Sequence, residues 1–215
     1  MTELDTRLDE LPVGELVERL ASSAPIPGGG SASAIVCALA AALIHMVVEL
    51  SVGRPPHAAD ETALREIGLA ATGWQSELLD LASRDAAAYG SVVAARRMPR
   101  DTDLDRQARA VQLAAAIRDA TSVPLRIAEA ASEVLDLAAR VAPIGNPNAA
   151  SDAGVAARLA AAAAHGAALN VRINLPALAE DDDLRREAAE RIDTLVRGVA
   201  EREDAVTRAV EGLIG

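Results

Sequence analysis

The fold is decided by residues 28–50, which read GGGSASAIVCALAAALIHMVVEL. From Ala32 to Leu50 this stretch is rich in alanine and comes close to the roughly 20 residues that a membrane-spanning helix needs. It carries His45 and Glu49 near its end, and the residues before it are acidic, unlike the basic start of a signal peptide. A helix that is apolar all round is also typical of the centre of a soluble bundle, which is the prediction here.

The remaining composition favours helices as well. Hydrophobic residues make up 51% of the 215 residues, yet aromatic residues make up only 1%. Alanine and leucine favour helix, whereas strands are enriched in β-branched and aromatic residues. We therefore predict an all-α protein with one domain, residues 1–215, folded as a single up-and-down bundle of long helices. Because its core has limited volume and flat helix faces, we expect a homodimer.

Apolar spacing and the positions of proline and glycine predict the other helices. A short amphipathic helix starts at Pro12 and Gly14, and the central helix ends near Gly53. Later helices are predicted at about 58–97, 103–141, 151–175 and 182–213. Pro124 is expected to kink or restart the helix predicted at about 103–141.

Two helix starts have candidate capping residues. Ser31 stands where an N-cap of the central helix is expected. Ser151 and Asp152 can cap the helix that follows the turn-rich loop 143–150.

Charge and cysteine content exclude several classes of partner. The net charge of −11 disfavours nucleic acid and membrane surfaces as partners. Cys37 is the single cysteine, which suits a reducing cytoplasm, and its apolar neighbours predict a buried, inert thiol. The three histidines, His45, His57 and His165, lack metal-ligand spacing, so no metal is expected.

The third helix carries an acidic residue where an apolar one is expected. Its inward stripe over residues 64–92 alternates at intervals of three and four, and Asp85 falls within it. A carboxylate facing a bundle interior loses solvation, which raises its pKa and suits it to proton transfer near neutral pH. Tyr89, one turn later, is a candidate neighbour. The alternative is that Asp85 lies at an edge and pairs with Arg84 or Arg96.

Three glycines, Gly28, Gly29 and Gly30, precede Ser31 and the central helix. They allow backbone N–H groups to converge on a ligand at a helix N-terminus. The run lacks the Gly-Lys-Ser/Thr ending of a phosphate-binding loop, so nucleoside triphosphates are not implied. The alternative is a flexible linker.

A third polar cluster lies in the second half of the chain. Its members are Asn146, Asn148, Ser151, Asp152, Asn170 and Asn174. Such amides and a carboxylate offer the hydrogen bonds that a polar heterocycle needs. Ordinary turn and cap chemistry is the alternative for the loop, but it leaves Asn170 and Asn174, which share a helix face, unexplained.

Five segments together resemble the formiminotransferase-cyclodeaminase family, which includes cyclodeaminase domains and stand-alone methenyltetrahydrofolate cyclohydrolases. They are residues 24–31 (APIPGGGS) with the alanine-rich helix that follows, 85–89 (DAAAY) with Met98-Pro99, 123–125 (VPL), 145–156 (GNPNAASDAGVA) and 170–175 (NVRINL). The order matches that of the family over nearly the whole chain.

The resemblance implies a dimeric all-helical enzyme that binds a tetrahydrofolate derivative near the glycine-rich loop, with no metal and no redox cofactor. A cyclohydrolase opens 5,10-methenyl-tetrahydrofolate to the 10-formyl form. A cyclodeaminase closes 5-formimino-tetrahydrofolate and releases ammonia. Asp85 is then the expected general acid/base. The substrate-binding candidates are Pro27, Gly28, Gly29, Gly30, Ser31, Ser33, Tyr89, Asn146, Ser151, Asp152 and Asn170.

One segment departs from the family. Many relatives carry a lysine-rich run after the central helix, suited to anionic groups, where this chain has Gly53-Arg54-Pro55-Pro56-His57. Arg96, Arg97 and Arg100 could instead supply the positive charge for anionic groups of a ligand.

Cyclohydrolase is slightly favoured over cyclodeaminase, since no transferase domain is present to supply a formimino substrate. A non-catalytic helical dimer that binds a ligand or scaffolds a partner is one alternative. An enzyme for another pterin or amidine is the other.

Overall fold

The computed structural model describes residues 7–214, and the regular elements within that range are all helices. The short helix α1 is Val13–Ala21, and the long helices are α2 Gly29–Glu49, α3 Glu61–Arg97, α4 Asp103–Val141, α5 Ala150–Asn174 and α6 Asp183–Ile214. Short 3-10 helices lie at Leu8–Glu10, Pro55–Asp60, Pro147–Ala149 and Leu175–Ala177. The predicted all-α class is confirmed.

The long helices form an up-and-down bundle around α2. At one end of α2, Gly30 lies against Asp85 of α3, and at the other His45 lies beside Thr72, so the two helices are antiparallel. α5 packs antiparallel on another side of α2, α4 contacts α2, α3 and α5, and α6 covers α4 and α5. Alanines dominate the buried face of α5, which lets it lie close to its neighbours.

α2 is long and apolar enough to cross a membrane by length and composition, the one such helix in residues 7–214. More than half of it is buried against other helices, and a core helix passes the same test of length and composition. It lies at the centre of the bundle, as predicted. Cys37 is fully buried within it, as predicted, and burial raises the pKa of its thiol.

Several predicted helix boundaries are wrong. α2 begins at Gly29 with Gly28 at the N-cap, so Ser31 lies inside the helix and is not its cap. α5 begins at Ala150 with Ala149 at the N-cap, and neither Ser151 nor Asp152 caps it. The turn before α5 is held instead by Asn146, whose side-chain oxygen accepts a hydrogen bond from the Asn148 backbone N–H.

Pro124 does not interrupt α4, which runs through it. Proline has no N–H, so the carbonyl of Ala120, four residues earlier, loses its helical donor. Nδ2 of Asn174 donates to that carbonyl at 2.7 Å. A side chain from α5 therefore replaces the missing backbone hydrogen bond, which helps α4 to continue.

Candidate functional site

Asp85 lies on α3 at the start of α2. The hydroxyl of Ser31 donates to Oδ2 of Asp85 at 2.9 Å, and Ser31 is fully buried. No cation among residues 7–214 contributes to the electrostatics of Asp85, and Arg84 pairs with Asp80 instead at 3.9 Å. The alternative in which Asp85 is an edge residue paired with arginine is therefore wrong.

Burial raises the pKa of the Asp85 carboxyl above its usual range. The hydroxyl and backbone amide of Ser31 favour the ionised form and oppose this rise. Desolvation is the larger of the two influences, so the net direction is upward. Such a carboxyl accepts and releases a proton closer to neutral pH than a surface aspartate does.

Gly30 is what allows α2 to approach Asp85. A Cβ on Gly30 would lie 2.6 Å from Cγ and 2.7 Å from Oδ2 of Asp85, closer than real Cβ atoms come to other atoms. The glycine triplet is therefore not a flexible linker. Gly29 and Gly30 form the first turn of α2, and Gly30 makes room for the carboxylate.

α5 reaches the same corner through Asn170. A Cβ on Gly29 would lie 3.4 Å from Nδ2 of Asn170, which itself donates to the Gly166 carbonyl at 2.9 Å. Ser33 lies one turn into α2 and donates to the Gly29 carbonyl at 2.8 Å. Gly166 was missed in the sequence, because a glycine in an alanine-rich helix carries no signal of its own. A Cβ there would collide with the Ser33 hydroxyl.

Two further candidates lie beside this corner. Tyr89 follows Asp85 by one turn on the same face of α3 and is 37% exposed. Pro27 lines a separate cavity of about 1030 Å³ between α1, residues 22–27 and α3. A second cavity of about 550 Å³ lies between α5 and α6. Asp85 lines neither cavity, although Arg84 and Ala86, its neighbours in sequence, line the one that contains Pro27.

Asn146, Ser151 and Asp152 do not join this corner within one chain. Asn146 packs against Leu50 and Ser51 after the end of α2, and the 21 residues of that helix span about 30 Å. Within a single chain these three residues therefore do not reach a ligand held at Asp85, and their assignment to the substrate site stays a prediction. The physical reason is that α5 runs antiparallel to α2, so only its C-terminal half, with Asn170, lies near Asp85.

No group of three or more His, Cys, Asp or Glu side chains capable of holding a metal ion occurs in the described part of the chain. The expectation that no metal or redox cofactor is needed stays a prediction.

Comparison with known proteins agrees with this arrangement. Residues 12–194 match the model of the formiminotransferase-cyclodeaminase family. A methenyltetrahydrofolate cyclohydrolase of Methylorubrum extorquens is 40% identical over 185 residues, 86% of this chain and 87% of that protein. The chain belongs to the formiminotransferase-cyclodeaminase family.

Other members of the family are more distant or much longer. The formimidoyltransferase-cyclodeaminase of Mus musculus is 32% identical over 84% of this chain, but the match covers only 33% of its own length. The crystal structure of a formiminotetrahydrofolate cyclodeaminase from Thermotoga maritima has a TM-score of 0.86 and 26% identity. That match covers 97% of this chain and 100% of the other. The names of these relatives describe folate one-carbon enzymes.

Proposed function

We propose that this chain is a methenyltetrahydrofolate cyclohydrolase with Asp85 as its general acid/base. The observation that carries the proposal is Asp85 itself, a half-buried carboxyl with a raised pKa, one hydrogen bond from Ser31 and no ion-pair partner. The cyclohydrolase from Methylorubrum extorquens, which matches most of both chains, supports hydrolysis over the alternatives.

The reaction needs one group that moves a proton twice. Ionised Asp85 removes a proton from water as the water oxygen bonds to the methenyl carbon between N5 and N10. The tetrahedral carbon then breaks its bond to N5, which takes the proton from Asp85. The hydroxyl oxygen on that carbon releases its remaining proton to water and becomes the carbonyl of the N10 formyl group. The negative charge of Asp85 also stabilises the cationic methenyl bridge in the bound substrate.

The glycine-rich turn contributes by fixing the carboxylate. The Ser31 hydroxyl holds Oδ2, and no side chain within residues 7–214 donates to Oδ1, which leaves Oδ1 for water or N5. We assign Gly28, Gly29, Ser33, Tyr89 and Asn170 to the walls of the substrate site around it.

The decisive experiment follows the loss of 5,10-methenyl-tetrahydrofolate absorbance with purified protein. Asp85→Asn should lower the rate by roughly 10²–10⁴-fold, the usual contribution of a general acid/base. Asp80→Asn is the matched control, because Asp80 lies on the same helix in exposed ion pairs. Near-normal turnover by folded Asp85→Asn would refute the role of Asp85.

Cyclodeaminase is the second candidate, because both reactions pass through the same tetrahedral carbon. The likeness to the Thermotoga maritima cyclodeaminase over nearly the whole chain supports it. Release of ammonia from 5-formimino-tetrahydrofolate without hydrolysis of the methenyl form would select it. Failure of both assays with folded protein would favour the non-catalytic binding dimer or a different pterin or amidine substrate.

We also propose that the protein is a homodimer that associates through one apolar surface of α2 and α5, here the α2–α5 face. This face contains the exposed side chains Leu39, Met46, Leu50, Val155, Leu169 and Ile173. The two helices pack against each other, and on each of them these residues recur at helical spacing on one side. We infer that they form a single apolar surface, which is typical of an interface. Asn170 and Gly29 lie at its edge, so a second copy would help to cover the corner around Asp85.

The oligomeric state tests this proposal directly. Light scattering should give a mass near twice the 22.1 kDa of the chain. Leu39→Glu should shift it toward the monomer, because a charge would be buried in the interface. Leu69→Glu is the control, since Leu69 is exposed on α3, outside the α2–α5 face. A wild-type monomer would refute the dimer.

A further inference from the structure

Four arginines crowd the end of the α3–α4 hairpin in a protein of net charge −11. They are Arg96 and Arg97 at the end of α3, Arg100 in the turn and Arg109 in α4. None of the four takes part in a salt bridge with another described residue, although twelve other arginines of the chain do. The hairpin end, here the arginine cluster, is therefore a concentration of uncompensated positive charge.

Arg109 is the most informative member. Its Nε is buried and has no hydrogen-bond acceptor, the one buried side-chain nitrogen or oxygen in residues 7–214 for which this is so. Its Nη2 reaches the Arg96 carbonyl at 3.5 Å, at the limit of a hydrogen bond. Leaving such a donor unsatisfied costs free energy, and a bound anion would supply the acceptor.

Three acids lie nearby, Asp101, Asp103 and Asp105, but none of them forms a salt bridge with an arginine of the cluster. Asp103 pairs with Arg106, and Asp105 is engaged in a capping box with Thr102. Positive charge near the end of α3 also stabilises that helix terminus. This accounts for the presence of cations there, but it provides no acceptor for the buried Nε of Arg109.

The cluster lies in line with the candidate catalytic residue. Asp85, Tyr89 and Arg96 are separated by four and seven residues, so they share one face of α3. Arg96 is three turns, about 16 Å, beyond Asp85 along the helix axis. Along this face an acid comes first, then an aromatic ring, then cations.

That order matches the order of groups in a reduced folate. The cationic methenyl bridge comes first, the aromatic ring of p-aminobenzoate follows, and the glutamate carboxylates lie at the far end. Several bonds separate the bridge from those carboxylates, and the long arginine side chains extend the reach of the cluster toward them. A substrate whose bridge lies at Asp85 can therefore run along α3 toward the arginines.

We propose that the arginine cluster, with Arg96 and Arg109 as its principal members, binds the glutamate carboxylates of the substrate. This inference rests on the proposed folate function, and it assigns the tail-binding subsite to the α3–α4 hairpin. Tyr89 packs against the aminobenzoyl ring between the two ends. Additional glutamates place further carboxylates near Arg97 and Arg100.

The first test compares substrates that differ only in the tail: methenyl-tetrahydropteroate without glutamate, the monoglutamate and the triglutamate. In Arg96→Gln and Arg109→Gln, KM for the glutamylated substrates should rise about tenfold, the worth of one charge-assisted hydrogen bond, with kcat unchanged. KM for the pteroate should not change. Arg65→Gln is the control, because Arg65 lies at the other end of α3 and pairs with Glu61.

The second test does not depend on turnover. Binding of p-aminobenzoyl-triglutamate to wild-type protein should be weakened by salt and lost in the double variant Arg96→Gln/Arg109→Gln. If this binding is found while no folate substrate is turned over, the proposed reaction fails and the tail subsite stands. The tail proposal is overturned if wild-type protein does not bind the fragment, or if wild type and the double variant bind it equally.

Discussion

The two ends of α2 carry polar clusters of similar composition but of different completeness. At the C-terminal end, Ser51 is fully buried, donates to the Val47 carbonyl at 2.6 Å and accepts from the Asn146 backbone N–H at 2.8 Å. Nδ2 of Asn146 donates to the Leu50 carbonyl at 3.0 Å, and its oxygen accepts from Asn148. At the N-terminal end, Asp85 receives one side-chain hydrogen bond, from Ser31 to Oδ2, and no side chain in the described part of the chain donates to its Oδ1.

The difference distinguishes a structural hydrogen-bond network, at the C-terminal end of α2, from a candidate catalytic site, at its N-terminal end. A closed set of buried hydrogen bonds stabilises a fold, because opening it leaves desolvated groups without partners. A buried carboxyl with spare capacity and a raised pKa is costly to the fold and suited to chemistry. The comparison predicts that changes at the N-terminal end reduce activity, whereas changes at the C-terminal end reduce stability.

After the loss of the Asp85 carboxylate itself, the largest expected effect is that of a methyl group at Gly30. Gly30→Ala should displace Asp85 or α2, because the new Cβ would lie within 2.7 Å of the carboxylate. Misplacement of a catalytic group by about 1 Å can cost roughly 10²-fold in rate, so kcat/KM should fall by that order. Gly73→Ala is the matched control, since Gly73 lies on α3 outside the assigned substrate site and a Cβ there meets nothing within 4 Å. Equal activity of both variants would break the comparison.

The next effect is the loss of stability when the hydrogen-bond network at the C-terminal end of α2 is broken. Asn146→Ala should lower the free energy of unfolding by about 1–3 kcal/mol, because the Leu50 carbonyl loses the donor that the buried Asn146 side chain provides. The folded variant should keep wild-type kcat/KM. Denaturant titration measures the first quantity and the steady-state assay the second. Asn148→Ala, which removes an exposed side chain and keeps the backbone donor, should change neither.

Asn174 on α5 is a second polar residue for which the structure predicts an effect on stability and not on turnover. Although it lies one turn from Asn170, its side chain is engaged with the Ala120 carbonyl, so Asn174→Ala should reduce stability by about 1 kcal/mol without a specific effect on turnover. In a Pro124→Ala background the restored N–H can bond to the same carbonyl, and the cost of Asn174→Ala should shrink. A double-mutant cycle with no coupling would contradict this account.

The smallest expected effect is the pH dependence of stability that Asp85 confers. Its raised pKa means that the folded state keeps a proton that the unfolded state has already released. The stability of the wild type should therefore fall as pH rises from the ordinary aspartate range through the folded pKa. Asp85→Asn removes this fall, so its Tm relative to wild type should increase over that interval. A difference in Tm that is flat with pH would contradict the raised pKa, and Asp80→Asn is the control.

Some of the candidate site could be predicted from the sequence. Asp85 interrupts an otherwise apolar 3–4 spacing on α3, and that spacing depends only on helical periodicity. The buried central helix follows from its composition in the same way. The separation of Asn146 from Asp85 could not be predicted, because both lie in family-like motifs and the spacing along a chain does not say which helix ends meet.

Hydrogen-bond partners distant in sequence were also beyond prediction. The sequence predicted Ser31 as a helix N-cap, because serine often begins a helix. In the bundle its hydroxyl instead donates a hydrogen bond to Asp85, 54 residues away. The sequence suggested Asn174 as a possible ligand-binding residue. In the structure its side chain donates to the Ala120 carbonyl, which has no helical donor because residue 124 is proline.

The sequence by itself determined the class of this protein: helix-forming composition, apolar periodicity and proline breaks are local properties, and they specify long helices with one buried at the centre. Only the tertiary structure decided which polar side chains are engaged in hydrogen bonds within the fold and which remain able to contact a ligand. Burial, close approach at Gly30 and the satisfaction of hydrogen bonds depend on which surfaces meet, and that is settled when the helices pack. The carboxyl of Asp85 owes its raised pKa to this packing.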